Sequence, residues 1–301
     1  MTYGGIEAGG TKWVCGIGSG PDDLRQTVSF PTTTPDETIG RARRFFITNS
    51  AVKAIGVGSF GPMDVRRSSP TWGRITTTPK PGWSNTDVVS ALQSGLDVPI
   101  AFDTDVNAAA LAEWRWGAAA GLETFCYITV GTGIGGGGIV NGRLMHGLLH
   151  PEFGHMRIPH DWSEDAFAGA CPYHGDCFEG LASGEALRQR FGKPAEQLDD
   201  PEIWALESHY LALGLVNVIC TLSPQRIILG GGVMKHPDVL MLVRGRVQRL
   251  LAGYISAPEL AEAIDEYVVA PALGDRSGVL GAIELARRSV HPDEAPSVRR
   301  P

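Results

Sequence analysis

No run in the chain comes near the roughly 18 continuous apolar residues of a membrane span, and Met1-Thr2-Tyr3-Gly4 carries no basic stretch leading into an apolar core. The expectation is a soluble, unexported protein, cytoplasmic in location. Cysteine is scarce: five residues (Cys15, Cys126, Cys171, Cys177, Cys220) in 301, an odd number. That argues against a secreted disulfide framework and leaves reduced thiols or metal ligands. Positive charge is also in deficit. With 26 Lys and Arg against 33 Asp and Glu the formal charge is −7, which disfavours a general nucleic-acid or membrane-surface binder and points to small-molecule partners. Two signature loops are missing as well. No stretch fits G-x-x-x-x-G-K-[ST], and no G-x-G-x-x-G joins a strand to a helix, so a P-loop enzyme and a simple Rossmann dehydrogenase drop out.

What is abundant is glycine, 39 residues gathered in clusters. Tyr3–Ile6 and Trp13–Ile17 read as strands around the turn Glu7-Ala8-Gly9-Gly10-Thr11-Lys12. The periodicity predicts a helix over Thr38–Asn49, strands over Ala54–Val57 and Pro99–Phe102, and a helix over Asn107–Ala119. The middle of the chain repeats the opening, with strands Phe125–Val130 and Gly138–Val140 flanking Gly131-Thr132-Gly133-Ile134-Gly135-Gly136-Gly137. A helix Trp204–Leu222 follows, then a strand Arg226–Leu229 running into Gly230-Gly231-Gly232, a strand Tyr267–Ala270 and a helix Ser277–Arg288. The class is alternating α/β with a duplicated glycine hairpin, which suggests two related lobes. The Pro- and Arg-rich tail, 291–301, is expected to be flexible.

Three groups of residues carry chemistry. Gly9-Gly10-Thr11-Lys12 and Gly131-Thr132-Gly133 offer backbone N–H groups with no intervening side chain, the requirement for cradling phosphate, although each alone is also an ordinary tight turn. Asp103-Thr104-Asp105-Val106-Asn107 lies at a strand-to-helix junction, where a carboxylate projects toward the ligand crevice of an open α/β sheet. Asp105 could take a proton from a hydroxyl there, while Asp103 and Asn107 read as helix caps. His155 with Cys171-Pro172-Tyr173-His174-Gly175-Asp176-Cys177 supplies two imidazoles and two thiols, the knuckle ligands separated by two residues each, a set suited to a closed tetrahedral Zn²⁺ site. Glu152 and Glu179 flank it and could bind vicinal hydroxyls of a sugar, though either alone would more often be a solvated charge.

Taken in order and spacing, Glu7-Ala8-Gly9-Gly10-Thr11-Lys12, Asp105-Val106-Asn107, Gly131 to Gly137, Glu152-Phe153-Gly154-His155 and the Cys171–Cys177 knuckle resemble the ROK family of bacterial sugar kinases. Thr78-Pro79-Lys80-Pro81-Gly82-Trp83 and His150-Pro151-Glu152 are similar to its fructokinase branch. The resemblance spans about residues 4–288. It implies an actin-like, hexokinase-type ATPase fold of two α/β lobes around a central cleft: a small lobe over 1–117, a large lobe over 118–276 with the zinc knuckle, and a last helix near 277–288 crossing back. It further implies ATP and Mg²⁺ as cofactors, a structural Zn²⁺, fructose as the favoured hexose and a homodimer. By the same resemblance Asp105 is the general base, and Glu152, His155 and Glu179 surround the sugar. Gly9, Gly10, Thr11, Lys12, Gly131 and Thr132 contact ATP phosphates, and Gly231 with Gly274 to Gly278 lies near the nucleoside. His155, Cys171, His174 and Cys177 bind zinc. Three features depart from the commoner family pattern: Glu7 in place of Asp, Thr104 in place of Asn, and a knuckle with fewer thiolates. The family also contains sugar-responsive repressors, which resemble its kinases with an added N-terminal helix-turn-helix; here the first strand is expected at Tyr3. Glucokinase, mannokinase and N-acetylhexosamine kinase remain alternatives within the enzyme class, because a few hydroxyl contacts decide sugar choice.

Overall fold

The computed structural model describes residues 1–49 and 52–291, so the expected flexible tail lies, apart from His291, outside the described residues. In chain order the first elements are β1 (Tyr3–Ala8), β2 (Lys12–Gly18), β3 (Leu24–Pro31), α1 (Pro35–Asn49), β4 (Ile55–Ser59), α2 (Val88–Gln93), β5 (Ile100–Thr104) and α3 (Asp105–Trp116). Then come β6 (Phe125–Val130), β7 (Ile134–Val140), β8 (Arg143–Leu144), α4 (Phe178–Ala182), α5 (Gly184–Phe191), α6 (Pro201–Leu222) and β9 (Ile227–Gly230). The chain ends with α7 (Val239–Leu251), α8 (Pro258–Ala261), α9 (Ile264–Tyr267), β10 (Val268–Val269) and α10 (Ser277–Val290).

Contacts divide the chain into two units. The first comprises Met1–Leu122, Gly137–Pro151 and the chain from Ala272 onward; the second comprises Glu123–Gly136 and Glu152–Pro271. The first unit therefore runs five residues past position 117 and takes in 137–151, a segment that no local pattern separates from the glycine run before it.

The first unit is built on a five-stranded sheet of order β3-β2-β1-β4-β5. The β1–β2 hairpin is antiparallel, and β4 and β5 are parallel to β1. Their short strands are buried along nearly their whole length, as parallel strands covered on both faces should be. One face is closed by Trp13, Trp83, Phe46, Met63 and Ile75. Burying side chains of this kind is worth about 1.5–3 kcal/mol each. The indole N–H of buried Trp83 is satisfied by Thr33 O at 2.8 Å. The other face is covered by α3 and α10, whose Val279, Leu280, Ile283 and Ala286 are buried. Gly281 is required there, since a Cβ on it would collide with the carbonyl of Ala108.

The second unit holds β6, β9 and β10, parallel members of a sheet of order β10-β9-β6-β7-β8, and only the first three residues of β7 belong to this unit. Helix α6 is long and apolar enough to cross a membrane by length and composition alone. It is a core helix instead: Trp204, Tyr210, Leu211, Leu215, Val218 and Ile219 are buried, and it packs on α4 and α7. One correction concerns the glycine run. Only Gly131–Gly133 form the turn, and Gly135, Gly136 and Gly137 lie inside β7. Gly136 and Gly137 are small for packing reasons, because a Cβ at Gly136 would enter the Phe153 ring and one at Gly137 would meet Asn107 Oδ1.

Candidate active site

In the first unit, the β1–β2 turn is closed by Gly9 N donating to Lys12 O at 3.0 Å. It is braced from behind: Thr32 Oγ1 donates to Gly9 O at 2.7 Å and Thr32 N to Thr11 O at 2.9 Å. Thr11 and Lys12 are left exposed at its tip. Below the turn stands Glu7, whose Oε2 is buried without a hydrogen-bond partner. Burial raises its pKa, against the pull of Lys12, and Asp275 adds to the rise. An orphaned carboxyl oxygen beside a phosphate-sized turn fits the hard-oxygen chemistry of Mg²⁺.

Asp105 opens α3 directly after β5, with its Oδ1 accepting from Val106 N at 2.9 Å. The cap of this helix is Thr104, whose Oγ1 accepts from Asn107 N at 3.1 Å. This corrects the expectation that Asp103 or Asn107 caps the helix. Both are buried and occupied elsewhere. Asp103 Oδ1 accepts from Thr104 N and from Asn107 Nδ2, each at 2.8 Å, and Asn107 Oδ1 accepts from Gly138 N at 3.1 Å. His146 completes the group, its Nε2 lying 2.9 Å from Asp103 Oδ2. Nothing in the sequence marks His146, which stands outside every motif.

In the second unit, the Gly131–Gly133 turn is pinned to the start of α5. Gly184 N donates to Gly131 O at 2.7 Å and Glu185 N to Thr132 O at 3.1 Å. The carboxylate of Glu179 accepts from Ile134 N at 2.9 Å and crowds Gly133 so closely that a Cβ there would overlap its Oε2. One residue expected at the sugar and one turn expected at the phosphates are thus tied together. Gly231, just after β9, has φ +99, a conformation that favours glycine.

Beside Glu179, the knuckle assembles as its spacing implies. The ligand atoms of His155, Cys171, His174 and Cys177 all lie within 4.8 Å of one another. Cys171 Sγ is 3.7 Å from His155 Nδ1 and 3.6 Å from His174 Nδ1, and Cys177 Sγ is 3.7 Å from His155 Nδ1. Tetrahedral zinc with bonds of about 2.3 Å to sulfur and 2.0–2.1 Å to nitrogen requires N–S edges of roughly 3.6 Å, so the donors fit the ion. Burial pushes the Cys177 thiol up to about 11, and a coordinated cation is what would hold it as thiolate. The loop is closed by paired Cys171 and Gly175 backbone bonds and braced by Arg157, which donates to His174 O at 3.0 Å and to Asp176 Oδ1 at 2.8 Å. With His155 Nδ1 turned to the thiols, its Nε2 is the atom left for other work. Glu152 keeps contact with solvent, yet the surrounding protein, and after it the Glu179 carboxylate, raises its pKa to about 7.

The sequence matches the model of the ROK family over residues 3–289. It is 44% identical to a fructokinase of Lactococcus lactis subsp. cremoris, over 94% of this chain and 96% of that one. It is 42% identical to a fructokinase of Zymomonas mobilis subsp. mobilis, again over 94% and 96%. The fold superimposes with a TM-score of 0.78 on a ROK family glucokinase from Streptomyces griseus in complex with glucose and AMPPNP, 26% identical and matched over 96% of this chain and 100% of that chain. The fold is the actin-like ATPase fold, and the chain belongs to the ROK family.

Proposed function

We propose that this protein is an ATP-dependent fructokinase, converting D-fructose and ATP to D-fructose 6-phosphate and ADP. The observation that carries the reading is the 42–44% identity to fructokinases along nearly the whole chain, with Asp105 set at the head of α3 supporting the chemistry. In the proposed reaction the 6-hydroxyl oxygen of the sugar attacks the γ-phosphorus. A new O–P bond forms, the bond to the β,γ-bridging oxygen breaks, and the hydroxyl proton passes to the Asp105 carboxylate. Gly9, Gly10, Thr11, Lys12, Gly131 and Thr132 are assigned to the phosphates through backbone N–H, hydroxyl and ammonium groups, and Gly231 to the nucleoside side of ATP. Glu7 would help to hold Mg²⁺, which when bound would supply neutralisation of the charge that develops during transfer. Glu152, Glu179 and the Nε2 edge of His155 bind sugar hydroxyls, and zinc on His155, Cys171, His174 and Cys177 keeps that wall in place as a structural ion. The partners are a sugar and a nucleotide, the working form is a homodimer, and the location is the cytoplasm.

The test is a panel of hexoses with ATP and Mg²⁺, on the wild type and on Asp105→Asn. Fructose should give the highest kcat/KM, and Asp105→Asn should bind sugar while losing about 10²–10⁴-fold in kcat, the usual worth of a positioned base. Preference for glucose, mannose or an N-acetylated hexose would reject the substrate, and a variant within about tenfold of wild type would reject the base.

A further inference from the structure

Asp103 and Asp105 are two residues apart, but only Asp105 belongs to the proposed chemistry. Asp103 is 3% exposed, and a carboxylate taken that far from water is costly unless its charge and lone pairs are answered. Its oxygens accept from Thr104 N and Asn107 Nδ2, both neutral donors. Charge compensation comes from His146, with Nε2 at 2.9 Å from Oδ2 and 3.1 Å from Oδ1. The bond to Asp103 raises the His146 pKa against the opposing effect of burial, which favours imidazolium as the partner. His146 reaches this position because Met145 N is anchored to Gly138 O at 2.9 Å, on the strand whose Gly138 N binds Asn107.

The consequence lies one peptide away. Thr104, whose N–H is fixed by Asp103, is the residue whose hydroxyl caps α3, and Asp105 is the first residue of that helix. Without His146 the buried carboxylate would lose its charged partner and turn toward water, which releases Thr104 N. Displacements near 1 Å at a reacting group cost up to about 10²-fold in rate. We propose that His146 is a positioning residue for phosphoryl transfer, acting through its pair with Asp103 to fix the Thr104–Asp105 corner from which the base works. The inference rests on the assignment of Asp105 as base.

The experiment measures steady-state kinetics with fructose, ATP and Mg²⁺, equilibrium fructose binding and thermal unfolding for His146→Ala, His146→Gln, Asp103→Asn and Asp105→Asn in the full chain. His146→Ala should lower kcat about tenfold to a hundredfold, with fructose affinity within about threefold of wild type. A structural role alone would not separate kcat from binding in this way. Glutamine, whose amide N–H can still donate to Asp103 but brings no charge, should restore part of the loss, and Asp103→Asn should resemble His146→Ala. The proposal is overturned if His146→Ala stays within about twofold of wild type, if its kcat and affinity fall together, or if glutamine does no better than alanine. Should Asp105→Asn be inactive while His146→Ala is normal, this inference alone fails. Should Asp105→Asn remain active, the base assignment fails and takes this inference with it.

Discussion

Glu113 is a fully buried carboxylate inside a helix of small residues, and replacing it with glutamine gives a sharp test of how the first unit is held together. Ala118 N and Ala272 N donate to its Oε2 at 2.8 and 3.1 Å, and Leu273 N and Ser277 Oγ donate to its Oε1 at 3.0 and 2.7 Å. All four partners are donors. Glutamine must therefore aim an NH₂ at two of them. Facing Ala118 and Ala272, it would orphan two backbone N–H groups. Facing the other pair it orphans one, Leu273 N, because the Ser277 hydroxyl can still donate to Gly274 O at 3.0 Å and accept from the new amide. The second arrangement is the cheaper. One orphaned buried N–H costs about 1–3 kcal/mol, and the remaining bonds lose their charge assistance. The easier burial of a neutral amide offsets part of this, leaving a net loss of about 1–3 kcal/mol. At roughly 2–4 °C per kcal/mol for chains of this size, Glu113→Gln should melt about 2–12 °C lower by calorimetry, and Glu113→Ala, which removes the acceptor these backbone N–H groups share, lower still. A Glu113→Gln variant melting within about 1 °C of wild type would refute the reasoning, since it would mean that these donors find replacements at no cost.

Two further outcomes follow from the second unit. Purified protein should contain about one Zn²⁺ per chain, and Cys171→Ser should lose it, lower the melting temperature and raise the KM for sugar more than the KM for ATP, because a closed structural site braces the loop that carries His155. Elemental analysis and kinetics with Mg²⁺ in excess check this; unchanged stability and sugar KM after complete zinc loss would reject it. Glu152, with its pKa near 7, should accept a sugar hydroxyl best as carboxylate, so the sugar KM should rise as pH falls through neutrality and be flat in Glu152→Gln. For stability the sign is reversed. The folded chain binds this proton more tightly than the unfolded one, so the contribution is full below the unfolded value of about 4.3 and is lost as pH rises through about 7. A wild-type sugar KM that is constant across neutral pH would remove Glu152 from the binding set.

What the sequence shows of this site, and what it hides, separates by distance along the chain. Gly9-Gly10-Thr11-Lys12, Asp105 and the Cys171–Cys177 knuckle are legible because each is a contiguous piece whose chemistry needs no partner from afar. The hairpin β1–β2 is legible for the same reason: its turn and both its strands lie within sixteen residues, from Tyr3 to Gly18. Helix α7 was legible in principle, since its buried Val239, Val243, Val247 and Leu251 recur every four residues, but Gly245 and three arginines within the same stretch mask the stripe. The groups that fix the reacting residues are another matter. His146 meets Asp103 across 43 positions, and Glu113 meets Ala272 and Ser277 across 159 and 164. A lone glutamate in an alanine-rich helix carries no local mark of burial and by residue type alone would be assigned to solvent, and a lone histidine in a loop carries no mark of the carboxylate it meets. Short polar groups gain a fixed geometry only when chain closure over a long loop brings them together, and that information resides in the packing of α10 on α3 and in the course of β7 rather than in spacing. The same division explains why the residues for transfer stand out as motifs while fructose was reached only through the resemblance to the fructokinase branch: transfer chemistry uses adjacent residues, whereas discrimination between hydroxyl patterns depends on where Glu152, Glu179 and His155 are held, and their tethers run through Ile134 N, the metal and the knuckle.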